Sequence, residues 1–233
     1  SVDLEGLVAD AKAEGVPVDD SVTVVAEGAA PIPLPLHVVL GEPHYLRTEQ
    51  SWHEAGCPTA TVSITLEDER MVVEVVANTG ALTPADGPDN PLDNERAHVN
   101  ADGVQWYWGG TDGRWRHAAL CTPSGDDVQM ARLVPGDWRL PDAAWTMLPD
   151  DRGWRVRFLW PRSDLPVEPN GTICFDLVVN ERPADRTRRR GQLVLSGRIA
   201  AVPAAGAYAY LRGDRQSPDH ALLLSVRPQR PDR

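Results

Sequence analysis

The chain has 233 residues, of which 42% are hydrophobic and 24% charged, and its net charge is −11. That hydrophobic share supports a packed core and argues against overall disorder. The charge excludes a nucleic-acid binder, which needs a basic stripe against the phosphates, and no apolar stretch approaches the roughly 20 residues of a membrane-spanning helix.

Leu4, Leu7, Val8 and Ala11 recur at helical spacing, with Asp3 able to cap the start and Gly15 the end, so residues 3–14 read as an amphipathic helix. The segment Ala29 to Leu36 holds Pro31, Pro33 and Pro35 and reads as an extended linker or edge segment. Beyond it the period becomes two. Val62, Ile64 and Leu66 alternate with Thr61, Ser63 and Thr65, and a short turn over Glu67, Asp68 and Glu69 leads into Arg70–Val76, which predicts a hairpin. Gly103–Trp108 and Arg114–Leu120 flank a glycine-rich turn, and residues 134–150 read as irregular. In Gly153–Trp160, Trp154, Val156, Phe158 and Trp160 alternate with Arg155, Arg157 and Leu159, and Pro161 ends the ladder. Ile173–Val179, Gln192–Ser196 and Ala221–Val226 complete the set.

Many short strands, with 21 prolines and 19 glycines between them, predict an all-β fold: an antiparallel β-sandwich with a short N-terminal helix. The expected division is an N-terminal helix and Pro-rich extended segment over 1–35 and a sandwich domain over 36–233. The chain begins at Ser1 with no visible signal peptide, and a processed, extracytoplasmic product is expected. Cys57, Cys121 and Cys174 show no CxxC spacing and admit at most one bridge; they read as buried free thiols, with one disulfide as the alternative.

The stretch from Gly153 to Leu165 (GWRVRFLWPRSDL) resembles the late strand of family 9 carbohydrate-binding modules, with Pro161 followed by a Ser163-Asp164-Leu165 turn. The stretches Cys174–Asn180 (CFDLVVN) and Arg188–Ser196 (RRRGQLVLS) resemble the ending of that family, and Asp93–Tyr107 resembles its approach to the central strand. The likeness spans roughly residues 50–227. It implies a jelly-roll-like sandwich, sugar binding in some members and calcium in several; related modules carry haem or serve as accessory subunits. Arg157 stands where the family often carries an acidic residue.

Eight tryptophans against two phenylalanines is the most unusual feature of the composition. An indole face stacks on the apolar face of a pyranose, and its N–H can still donate. Alternation assigns Trp106, Trp108, Trp154 and Trp160 to the core, and Tyr107 to the opposite, exposed face. Trp115, Trp138 and Trp145, near turns or in irregular chain, are the sugar-platform candidates, with Tyr107 beside them as a ligand contact. Asp86, Asp89, Asp93 and Glu95, with Asn90 and Asn94, crowd into ten residues; such a loop could hold calcium or be a solvated turn. The histidines show neither HxH nor HExxH spacing, so zinc has little support, and haem is equally disfavoured: Met130 with His117 or His98 is an imaginable axial pair that no spacing demands. Neither a GxSxG elbow nor a Cys–His nucleophile context is visible, and no enzyme activity is expected. Asn170-Gly171-Thr172 matches the glycosylation acceptor pattern and reads as a surface turn.

The expected function is a non-catalytic module that binds poly- or oligosaccharide through surface tryptophans. The alternative is an accessory subunit docking on a larger extracytoplasmic or membrane-associated assembly. The partner is then a carbohydrate or a protein.

Overall fold

The structure, a computed structural model, describes residues 31–84, 100–109, 115–124, 127–197 and 222–226. The helix expected over 3–14 and the acidic loop lie outside these residues. The described strands are β1 (Ile32–Pro33), β2 (Leu36–Leu40), β3 (Tyr45–Arg47), β4 (Thr59–Glu67), β5 (Arg70–Asn78), β6 (Gly103–Gly109), β7 (Trp115–Ser124), β8 (Asp127–Arg132), β9 (Asp142–Met147), β10 (Trp154–Pro161), β11 (Thr172–Glu181), β12 (Gly191–Val194) and β13 (Leu222–Ser225).

They form two sheets. The larger runs β1-β13-β11-β6-β7-β8, with β12 also paired to β11 and β3 to β12; the smaller runs β2-β4-β5-β10-β9. Every pairing is antiparallel except β1 with β13. The Pro-rich segment supplies that edge strand, where a missing N–H does least harm to the ladder, so the sheet already begins at Ile32, ahead of residue 36. Glu67 opposes Arg70, which leaves two residues for the β4–β5 turn and makes it the expected tight hairpin.

Alternation fixes which side chains face inward. Trp154, Val156, Phe158 and Trp160 of β10 are at most 1% exposed, while Arg155 and Arg157 point outward. On that outer face Arg157 pairs with Glu67 at 3.4 Å and Arg155 with Glu74 at 3.8 Å. From the facing sheet come Trp106 and Trp108, both wholly buried. Trp160 meets Trp106 at 4.9 Å and 89° and Trp108 at 5.5 Å and 85°, so an edge-to-face cluster joins the two sheets. Each such pair adds about 1 kcal/mol beyond area burial. Where β10 begins, Gly153 lies so close to β5 that a Cβ there would overlap the Ala77 carbonyl oxygen, and only glycine fits.

Tyr107 departs from expectation. It points away from the main core, as alternation requires, yet is 0% exposed. The outer face of the larger sheet carries a second apolar cluster of Leu46, Tyr107, Trp115, Ala118, Cys174, Val178 and Val194, against which Leu133 and Val134 pack. That face is therefore not a solvated one. The cysteines also differ from one another: Cys121 and Cys174 are buried, Cys57 is exposed, and none is bridged.

Candidate functional site on the open side of the sandwich

β8 closes one end of the larger sheet and β9 one end of the smaller. Residues 133–141 carry the chain between these two edges, and Trp138 and Leu140 on this crossing pack against the core. Trp138 sits on this crossing and Trp145 on β9, and both are partly buried against the main core. The expected irregular stretch 134–150 thus contains a strand, and Trp145 belongs to it.

The surroundings of Trp138 come from three elements. The His117 ring of β7 stacks on its indole at 4.9 Å and 18°. Trp106 of β6 meets it edge-on at 5.5 Å. The Arg132 guanidinium, at the end of β8, lies 5.2 Å from its ring centre and donates to the Trp138 carbonyl oxygen at 3.1 Å. A guanidinium over an indole face gains from the ring quadrupole. Burial lowers the His117 pKa, against a smaller opposing influence of Asp164, so the stacked imidazole favours its neutral form. Trp145 packs edge-on against Trp154 at 4.9 Å and 68°.

Among the described residues, the indole nitrogens of Trp138 and Trp145 are buried and lack a hydrogen-bond partner. What these side chains offer outward is therefore ring surface, with donors and acceptors left to neighbours. Arg132, Asp137, Arg139 and Asp142 are exposed around them, and Arg139 and Asp142 pair at 3.6 Å. Partly exposed aromatic carbon beside exposed charged groups is a surface suited to sugar rings and their hydroxyls.

The other expected contacts lie elsewhere. Trp115 is 7% exposed and meets Tyr107 at 5.3 Å inside the second cluster. The phenolic Oη of Tyr107 donates to Gln105 at 2.7 Å, and Gln105 and Gln192 both donate to the Asn180 carboxamide oxygen, at 3.0 and 2.7 Å. Of the four candidates, Trp138 and Trp145 are partly buried at the margin of the main core, packed on Trp106 and Trp154 respectively, and Trp115 and Tyr107 sit in an interior layer.

Two of the acids buried in or beside the larger sheet, Asp102 and Glu181, were not among the expected site residues. Asp102, 1% exposed, accepts the Thr83 N–H at 2.7 Å and the Arg182 N–H at 2.8 Å, tying β6 to the chain on both sides of it. Burial pushes its carboxyl up to about 7, against those two N–H bonds. Glu181, at the end of β11, receives a two-pronged contact from Arg190 at 2.5 and 2.6 Å. Among the described residues no group of three or more His, Cys, Asp or Glu side chains is placed to hold a metal, and no helix is long and apolar enough to cross a membrane.

No family model matches the sequence, and no curated protein does. Among solved structures, the fold is similar to that of a family 9 carbohydrate-binding module from Caldicellulosiruptor kristjanssonii in complex with glucose. The TM-score is 0.54 at 14% identity, over 84% of this chain and 86% of that one. A family 9 module from the same organism in complex with cellotriose gives a TM-score of 0.53 at 16% identity, over 83% and 88%. The chain has the sandwich fold of family 9 carbohydrate-binding modules.

Proposed function

We propose that the protein is a non-catalytic, extracytoplasmic module that binds poly- or oligosaccharide beside the β8 and β9 edges of its sandwich, where Trp138 and Trp145 are only partly buried. The observation that carries this reading is the position of those two half-buried indoles, one on the crossing between the sheets and one on the edge strand β9, each braced by a core tryptophan. Bracing fixes the ring planes before a ligand arrives, so little side-chain freedom is lost on binding. The likeness to modules solved with glucose and with cellotriose supports a sugar ligand. Arg132 covers Trp138 in the free protein, and a sugar ring seated there takes its place, leaving the guanidinium to bind hydroxyls.

Calcium remains part of the proposal through Asp86, Asp89, Asp93 and Glu95, whose oxygens suit a hard cation. Affinity electrophoresis and pull-down on insoluble polysaccharides, run with millimolar calcium and again with chelator, test both points. Binding lost in Trp138→Ala or Trp145→Ala supports the site, and binding lost in chelator supports the acidic loop. Failure to bind any soluble or insoluble glycan overturns the sugar reading.

A further inference from the structure

The turn between β3 and β4, lying beside the short helical turn Glu42–His44 that precedes β3, brings together a nucleophile, a base and an acid that the sugar reading does not use. Residues 51–57 form a compact helical turn. The Ala55 N–H donates to the Ser51 carbonyl at 2.9 Å, and the Cys57 N–H to that of Trp52 at 2.9 Å. Ser51 caps the turn, donating from its N–H and hydroxyl to Glu54 at 2.8 and 2.6 Å. Residues four apart on such a turn share a face, and this places His53 beside Cys57, with Nδ1 3.7 Å from Sγ. On its other side the His53 Nε2 lies 3.7 Å from a Glu42 carboxylate oxygen. Trp52 meets the imidazole edge-on at 5.1 Å and anchors itself by donating from Nε1 to the Pro58 carbonyl at 2.9 Å.

Cys57 is also held in the left-handed region, at φ 57°, where a residue with a Cβ is uncommon. It is exposed, whereas Cys121 and Cys174 are buried and burial pushes the Cys121 thiol up. We infer that Glu42, His53 and Cys57 form a thiol-modification site that takes up low-molecular-weight disulfides. In this assignment the Glu42 carboxylate acts as a nearby charge on the Nε2 side of the ring, and Nδ1, on the Cys57 side, is the acceptor for the thiol proton. The Cys57 thiolate then attacks one sulfur of the disulfide: the Cys57 S–S bond forms, the original S–S bond breaks, and the departing thiolate takes the proton from Nδ1. No net oxidation occurs; one disulfide is exchanged for another.

The test follows release of the chromophoric thiolate from an aromatic disulfide by the native full chain, with the modified cysteine located by peptide mass. The reference is the same thiol in the urea-unfolded chain, which separates base assistance from exposure. The expected result is modification at Cys57 alone, faster than in the unfolded chain. His53→Ala slows it by roughly tenfold at neutral pH and moves the pH–rate profile toward the unfolded reference. Glu42→Gln gives a smaller loss, and His53→Gln, which keeps the side chain's bulk, behaves as His53→Ala. Equal rates in the native and unfolded chains, or a pH–rate profile unmoved by both His53 variants, overturns the assignment.

Discussion

The imidazole of His117 lies nearly parallel to the indole of Trp138, 4.9 Å away, so the side chain proposed to meet a sugar rests on a titratable ring. His117 has its pKa lowered, chiefly by burial. As pH falls below the ordinary histidine range of about 6.5, the unfolded chain takes up a proton that the native chain resists. Stability present above that pH is then lost on acidification. In denaturant melts, His117→Gln is expected to lose less stability between neutral and mildly acid pH than the parent protein does.

Asp102 works in the opposite sense. Its carboxyl is raised to about 7 by burial, so between pH 4 and that value the native chain holds a proton that the unfolded chain has released. Its contribution is largest in acid and declines as pH rises toward 7. The nearest charges act in opposite directions, Glu181 raising and Arg182 lowering its pKa. Asp102→Asn flattens this dependence in melts across pH 4–8, while Asp102→Ala, which strands the Thr83 and Arg182 N–H groups, is destabilising throughout.

The Glu181–Arg190 contact is a buried pair: the carboxylate side chain is 0% exposed and the guanidinium 20%. Removing one partner leaves the other desolvated, so Glu181→Gln is expected to cost about 3 kcal/mol and lower Tm by roughly 10 °C. The double change Glu181→Leu with Arg190→Met recovers much of that loss, because it removes both charges. Calorimetry of the parent and these two variants checks this.

Much of the fold was legible from alternation. The inward row Trp154, Val156, Phe158 and Trp160 is buried as read, and so are Trp106 and Trp108. Tyr107 was misread because alternation says which face a side chain takes, not whether water reaches that face. A partial signal existed: β11 places Cys174 and Val178 outward as well as Phe175 and Leu177 inward, the kind of row a covered strand carries, but Asp176 and Asn180 interrupt the outer row. β9 (DAAWTM) packs only Ala143 and Trp145 inward, too short a row to declare itself. The Glu42–His53–Cys57 relay depends partly on pairing across a loop, which spacing alone cannot reveal, although His53 and Cys57 stand four apart. Asp102 gave no sign of burial, since its partners are backbone N–H groups contributed by distant segments.

The most direct test is isothermal titration of a soluble β-glucan oligosaccharide, cellotriose first, into the parent chain, Trp138→Ala, Trp145→Ala and, as a control away from the surface, Cys121→Ala. The account predicts measurable binding by the parent and the Cys121 variant and a loss of roughly 5- to 150-fold in each tryptophan variant, in keeping with about 1–3 kcal/mol for an aromatic stacking contact. Undiminished binding in both tryptophan variants would contradict the placement of the site. No binding by the parent to this or any other glycan would contradict the sugar-binding account itself.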